Sequence, residues 1–360
     1  SSGSSILTAT CLIAGEQFSW RKFALEMVKA QKYVIDKPFS GVPTDENIKL
    51  VEEELPPLQD GEVLFEAQYL SVDPYMRPFL RDAESGTQMI GQQIAKITES
   101  KNKDYAVGSL YMIHAGWRNL TVVDPVAQGE LLRLKPVKEY PGVPITLSLG
   151  TLGMPGATAY LGLIELLKPK AGDVVLVNAA AGAVGHVVGQ VAKIKGAKVI
   201  GCASTTEKCA WLKELGFDVV FNYKTEKVGD VLTKNAPNGV NCYFDNVGGE
   251  FSDIVIREHM AHFGRVAICG SISTYNATEP FKVEAWNFPI LFKCLTIQGF
   301  IVAVTFKQDL WAAAFDQMSQ WISEGKLKYR EHITEGFGNM RKAFYELFSS
   351  DNTGKAVVKA

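Results

Sequence analysis

The run Val174 to Lys195, VVLVNAAAGAVGHVVGQVAKIK, restricts the fold more than any other stretch of the chain. Its Val/Leu core shows no polar alternation, as a parallel strand covered on both faces would, and it stops at Asn178, where small residues open a helix. The turn reads Ala179-x-x-Gly182-x-x-Gly185. Glycine at Gly182 lets backbone approach a pyrophosphate, Gly185 lets the helix pack close to the strand, and the helix N-terminus offers unpaired N–H groups to an anion. The stretch predicts a dinucleotide cradle whose first glycine is replaced by alanine. Gly196 follows Lys193 and Lys195 as a helix stop, and Lys198 to Ala203 resumes as a second strand, completing a βαβ unit.

Further apolar runs follow at Val219 to Tyr223, Cys242 to Gly249, Arg265 to Gly270 and Leu295 to Phe300, alternating with helical patterns such as the one closed by Gly216. With the first two they predict six strands, the number of a full doubly wound parallel sheet. A chain of 360 residues, 47% of them hydrophobic, suits two domains. The net charge of -2, without Lys/Arg clusters, gives no basis for a nucleic-acid or anionic-membrane partner. No apolar run approaches the roughly 20 residues of a membrane span. The six cysteines (Cys11, Cys202, Cys209, Cys242, Cys269 and Cys294) lack CxxC spacing and read as reduced core thiols, and the five histidines form no HxxxH pair, so no metal site is expected.

Residues 1–26 read as a tag or N-terminal extension, residues 6–26 being either an added segment or an organelle presequence, with Met27 as a candidate start. From Met27 to about Gly150 the chain is strand-rich, broken by Pro, Gly and Asp clusters. Asp73-Pro74-Tyr75-Met76-Arg77 interrupts the longest strand run; Tyr75 and Arg77 would there either line a pocket or close a turn, with Tyr75 packed on the core. Gly150 to Asp173 shifts from strand-like to helical pattern and marks a domain junction.

The second strand ends in Cys202-Ala203-Ser204-Thr205-Thr206 with no acid to grip ribose hydroxyls. Hydroxyls followed by Lys208, one helical turn on, would instead accept a 2′-phosphate, so NADPH is expected over NADH.

The stretches SVDPYMR, LGMPG, NAAAGAVG, LGFDVVFNYKT, YFDNVGGEFS, AICGSISTYN and GKAVVKA resemble the zinc-independent medium-chain dehydrogenase/reductase family, in its branch of prostaglandin and alkenal reductases, from Met27 to Ala360. The resemblance implies a GroES-like β-rich domain over residues 27–151 and 330–360, around an inserted Rossmann domain over 152–329. Carried over onto this chain, NADPH is expected at Gly182, Ala183, Val184, Gly185, Lys208, Tyr223 and Asn246, at Cys269, Gly270, Ser271, Ile272, Ser273, Thr274 and Tyr275, at Phe300, Ile301 and Val302, and at Asn352, with Met154 nearby. Val72 to Tyr75 stand where zinc-dependent relatives place a cysteine ligand. The implied protein is a cytoplasmic homodimer that acts in lipid metabolism and moves a hydride from NADPH to the β-carbon of an α,β-unsaturated ketone or aldehyde.

Hydride addition to a conjugated carbonyl builds negative charge on oxygen, so the site needs hydrogen-bond donors and a proton source rather than a nucleophile. Tyr75 and Tyr275 are the candidates. Alignment on IQGF puts Phe292 where the branch carries a tyrosine near the nicotinamide ribose, which predicts a missing hydroxyl there. A quinone reductase, an alcohol dehydrogenase or a non-catalytic NADPH-binding relative would share fold and cofactor.

Overall fold

The computed structural model describes residues 27–280 and 282–360, so the reading of residues 1–26 lies outside the described residues. The dinucleotide stretch folds into a six-stranded all-parallel sheet whose strands are here named β1 (Val174–Val177), β2 (Lys198–Ala203), β3 (Val219–Asn222), β4 (Val240–Asp245), β5 (Met260–Ile268) and β6 (Thr296–Gly299). They lie in the order β3-β2-β1-β4-β5-β6. The strand order reverses beside β1, and in open α/β sheets that switch point opens a crevice at the carboxyl ends of the strands. Val175, Leu176 and Val177 are fully buried because helices cover both faces of the sheet.

Helix α1 (Gly185–Ile194) lies so close to its strands that glycine is required. A Cβ at Gly185 would stand 2.5 Å from the Ala179 carbonyl oxygen, and one at Gly189 would stand 1.9 Å from the Phe217 ring. Helix α2 (Thr206–Glu214) is capped by the Thr205 hydroxyl, which accepts the Lys208 N–H at 3.2 Å.

A seven-stranded sheet holds the rest of the fold. Val63–Ser71 pairs antiparallel with Gln93–Ser100 on one side and, on the other, first with Leu120–Val123 and then with the C-terminal strand Lys355–Lys359, which runs parallel to Glu331–Glu335. The chain therefore returns from the parallel sheet to complete this earlier sheet. A separate hairpin pairs Val28–Ile35 with Ile48–Leu55. The expected combination of a β-rich unit with a Rossmann sheet is the architecture observed. Cys202, Cys209 and Cys242 are buried free thiols as expected; Cys294 is exposed instead, because it ends a helix in the left-handed conformation at φ 50°.

Candidate active site

One large cleft of about 2040 Å³ runs along the carboxyl ends of the parallel strands and continues between them and the Asp73–Phe79 segment. Ala179, which stands for the first glycine of the fingerprint, adopts φ 45°, the left-handed backbone that favours glycine. Sequence spacing alone reveals the substitution but not that the backbone keeps the glycine conformation. The N–H groups of Val184 and Gly185 donate to no other backbone or side-chain group among the described residues, while that of Ala183 faces the Gly354 carbonyl across the Gly182–Gly354 bridge; all three residues line the cleft. Such a pair of free amides at the start of α1 fits a pyrophosphate.

Around the cradle, Lys208, Tyr223, Asn246, Cys269, Gly270, Ile272, Ser273, Tyr275, Phe300, Ile301, Val302 and Asn352 line the same cleft, as do Gly182, Met154 and Tyr75. Ser271 and Thr274 do not: they line a neighbouring pocket of about 500 Å³ with Arg81 and Trp286, because in the 3-10 turn Ile272–Thr274 residues three apart share a side. Of the hydroxyls expected at the end of β2, only Ser204 faces the cleft, the Thr205 hydroxyl being engaged as the α2 cap. Lys208 is almost fully buried, and burial lowers its pKa while Asp351 opposes the shift. Its Nζ donates to the Ser350 carbonyl at 2.6 Å. The same C-terminal segment reaches the cradle, where the Gly354 N–H donates to the Ala181 carbonyl at 2.8 Å.

Four buried polar residues that the sequence reading did not single out hold the strand tips beneath the cleft. Asn178 Nδ2 donates to the Tyr243 hydroxyl at 2.7 Å and to Asp245 at 2.8 Å. The Asp245 carboxylate also accepts from Ser252 Oγ at 2.6 Å and from the N–H groups of Val247 and Gly248 at 3.0 and 2.9 Å. Asn178 then fixes Asn246, accepting its N–H at 2.7 Å and its Nδ2 at 3.0 Å. A buried carboxylate with this many donors is satisfied and locks the β1 and β4 tips into one arrangement. The visible signal was the polar Asn178 and Asp245 ending otherwise apolar strands.

Tyr75 precedes the short helix Met76–Phe79, its ring edge-on to Phe79 at 5.6 Å, and burial together with the Asp73 charge pushes its phenol well above the ordinary value. Its turn is anchored by a buried ion pair between Lys355 Nζ and Asp73 at 3.1 Å, the same ammonium donating to the Val72 carbonyl at 2.8 Å. Arg77 is not in the cleft; it is buried over the Phe39 ring at 4.7 Å and donates to the Gly41 carbonyl at 3.2 Å. Tyr275 is also raised, first by burial, and its hydroxyl accepts the Ser271 N–H at 3.2 Å, which leaves its own proton free to donate.

Phe292 contradicts the expectation drawn from alignment. It sits on helix α3 (Asn287–Lys293), 60% exposed and tilted against Phe288 with ring centroids 4.2 Å apart, and it does not line the cleft. Spacing from IQGF could not show that this helix turns the residue outward. No group of three or more His, Cys, Asp or Glu among the described residues is arranged to hold a metal ion.

Comparison with known proteins agrees with this geometry. The family described as "N-terminal domain of oxidoreductase" matches residues 31–130, and that described as "Zinc-binding dehydrogenase" matches residues 183–323. The chain is 48% identical over 336 residues to prostaglandin reductase 1 of Bos taurus, covering 93% of this chain and 100% of that protein. It is 36% identical to the NADPH-dependent curcumin reductase of Escherichia coli (strain K12), covering 91% and 96%. The crystal structure of CurA from Vibrio vulnificus in complex with NADPH superposes with a TM-score of 0.84 at 34% identity, covering 92% of this chain and 99% of that one.

Proposed function

Because the chain belongs to the zinc-independent medium-chain dehydrogenase/reductase family, we propose that it uses NADPH to reduce the carbon–carbon double bond of α,β-unsaturated ketones and aldehydes. The observation that carries this is a single cleft lined at once by the free amides of Val184 and Gly185, by Lys208 and by two protonated phenols, Tyr75 and Tyr275. NADPH, when bound, supplies the hydride that the β-carbon receives. The amides of Val184 and Gly185 bind the pyrophosphate, and Lys208 binds the 2′-phosphate. Tyr275 and Tyr75 donate hydrogen bonds to the oxygen where enolate charge develops, and either phenol can hand on its proton. The Asn178–Asp245 network keeps Asn246 at the cleft wall.

Exposed apolar side chains at the cleft mouth, Phe79, Leu131 and Val304, favour enones with long apolar chains, as in lipid metabolism. Phe288, Leu291 and Phe292 form an exposed apolar face beside the open edge of β6, which favours a homodimer built across that edge. Free cysteines among the described residues suit the cytoplasm, and no described helix is long and apolar enough to cross a membrane.

The test is NADPH consumption with a simple enone, an enal and a quinone, with product identification. The saturated ketone or aldehyde is expected. Turnover of the quinone alone, or an allylic alcohol as product, would overturn the assignment.

A further inference from the structure

Gly354 and Lys355 are neighbours that grip two different parts of the cleft wall. Gly354, at φ 72°, lies across the Gly182–Gly354 bridge from the cradle and donates its N–H to the Ala181 carbonyl at 2.8 Å. Lys355 reaches elsewhere. Its side chain is buried, and each of its three ammonium hydrogens has an acceptor: Asp73 at 3.1 Å, the Val72 carbonyl at 2.8 Å and the Ala356 carbonyl at 2.7 Å. Two of these three belong to the segment that leads directly into Tyr75. The Asp73 carboxylate also accepts the Ser71 hydroxyl, a contact within the same segment. Among the described residues, the backbone N–H groups from Val72 to Tyr75 make one contact to a distant part of the chain, Val72 to the Ala356 carbonyl at 3.4 Å, and Pro74 has no N–H to offer. The ammonium is therefore the main tie on this segment.

An ion pair this deep is a poor source of stability, since desolvation offsets most of the attraction and an apolar pair of similar volume would serve as well. What it supplies is a single geometry: a lone buried charge is so unfavourable that neither partner can leave the other. The lysine stem is itself confined, because a Cβ on Gly150 would stand 3.2 Å from Lys355 Cγ. Asp73 is also near enough to Tyr75 for its charge to act on the phenol, and the ammonium offsets a carboxylate that would otherwise oppose the enolate. We propose that Lys355 is a positioning residue for the reaction, its ammonium holding Val72 and Asp73 so that the Tyr75 phenol keeps a fixed place relative to the cradle gripped by Gly354.

This rests on Tyr75 donating to the enolate, and the test separates the two. For the full chain, kcat on a simple enone at saturating NADPH is measured together with NADPH affinity. Lys355→Met is expected to lower kcat about tenfold to a hundredfold, the effect of a donor displaced by roughly 1 Å. NADPH affinity should hold, because the contacts of Gly354 are made by backbone. Lys355→Met combined with Asp73→Asn leaves no lone charge in the core and should show the same loss of kcat, so the test does not depend on the single variant folding. In a Tyr75→Phe background either change should cost nothing further, which a merely structural role would not produce. Wild-type kcat in the combined variant would reduce the lysine to a counter-charge for Asp73, and an equal loss in both backgrounds would make it a structural residue. Either outcome overturns the positioning role alone. Wild-type kcat in Tyr75→Phe would overturn the part given to that phenol and this inference with it.

Discussion

Lys208 Nζ donates to the carbonyl oxygen of Ser350 at 2.6 Å, tying the first turn of α2 to a segment 142 residues away in sequence. The ammonium is almost fully buried, and its ordinary charge is disfavoured there by loss of water. A phosphate would give it a far better partner than a neutral carbonyl.

Lys208→Met is accordingly expected to lower NADPH affinity by roughly tenfold or more, the loss of one charge-assisted contact, with NADH affinity nearly unchanged. Parallel titration with both cofactors checks this. Equal losses would show that the lysine does not read the 2′-phosphate.

Tyr275→Phe removes a hydroxyl that accepts the Ser271 N–H and can donate into the cleft, and Tyr75→Phe removes the second phenol. Loss of the donor that faces the developing enolate should reduce kcat by about a hundredfold, whereas NADPH affinity should hold. Measuring kcat and NADPH affinity for both variants identifies which phenol acts. Wild-type turnover in both would mean that water supplies the proton. Phe292→Tyr should leave turnover unchanged, since the side chain is on the outer face of α3.

Ala179 keeps a left-handed φ of 45° that costs a residue with a Cβ on the order of 1–2 kcal/mol. Ala179→Gly relieves that strain but loosens the unfolded chain by about 0.4–1 kcal/mol, so a net gain of roughly 0.5–1 kcal/mol is expected. Thermal melting reads it directly. A lower melting temperature would show that the alanine backbone is unstrained. Gly185→Ala should be the opposite case, with marked loss of stability and of NADPH binding, because its Cβ would stand 2.5 Å from the Ala179 carbonyl oxygen.

One buried and one half-buried histidine tie stability to pH. His114, beside Gln92 in the cleft, and His186 are both held at about 4, first by burial, against an ordinary 6.5. The unfolded chain therefore binds more protons than the folded one between those values, and stability falls as pH drops from about 6.5 toward 4. By pH 5 each histidine is worth about 2 kcal/mol of that loss. Denaturant melts at pH 7 and pH 5 should show it, and His186→Asn should shrink the difference. An unchanged difference would mean that His186 does not titrate in this range.

Much of the fold was legible because it is local. Val174 to Lys195 declared strand, turn and helix through its periodicity and glycines, and five further apolar runs declared a doubly wound sheet. The cradle residues Gly182 to Gly185 and the tip lysine Lys208 were readable for the same reason: a phosphate site at a helix N-terminus is made by neighbours in sequence. What tertiary structure alone decided involves distance in sequence or direction in space. The partners of Asn178 lie about 65 residues on, at Tyr243 and Asp245, and no spacing rule links them. Whether Arg77 or Phe292 faced the cleft depended on which side of a short helix met the sheet, and both turned away from it. Sequence periodicity fixes which residues share an element, while the packing of elements against each other selects which of those residues share a site.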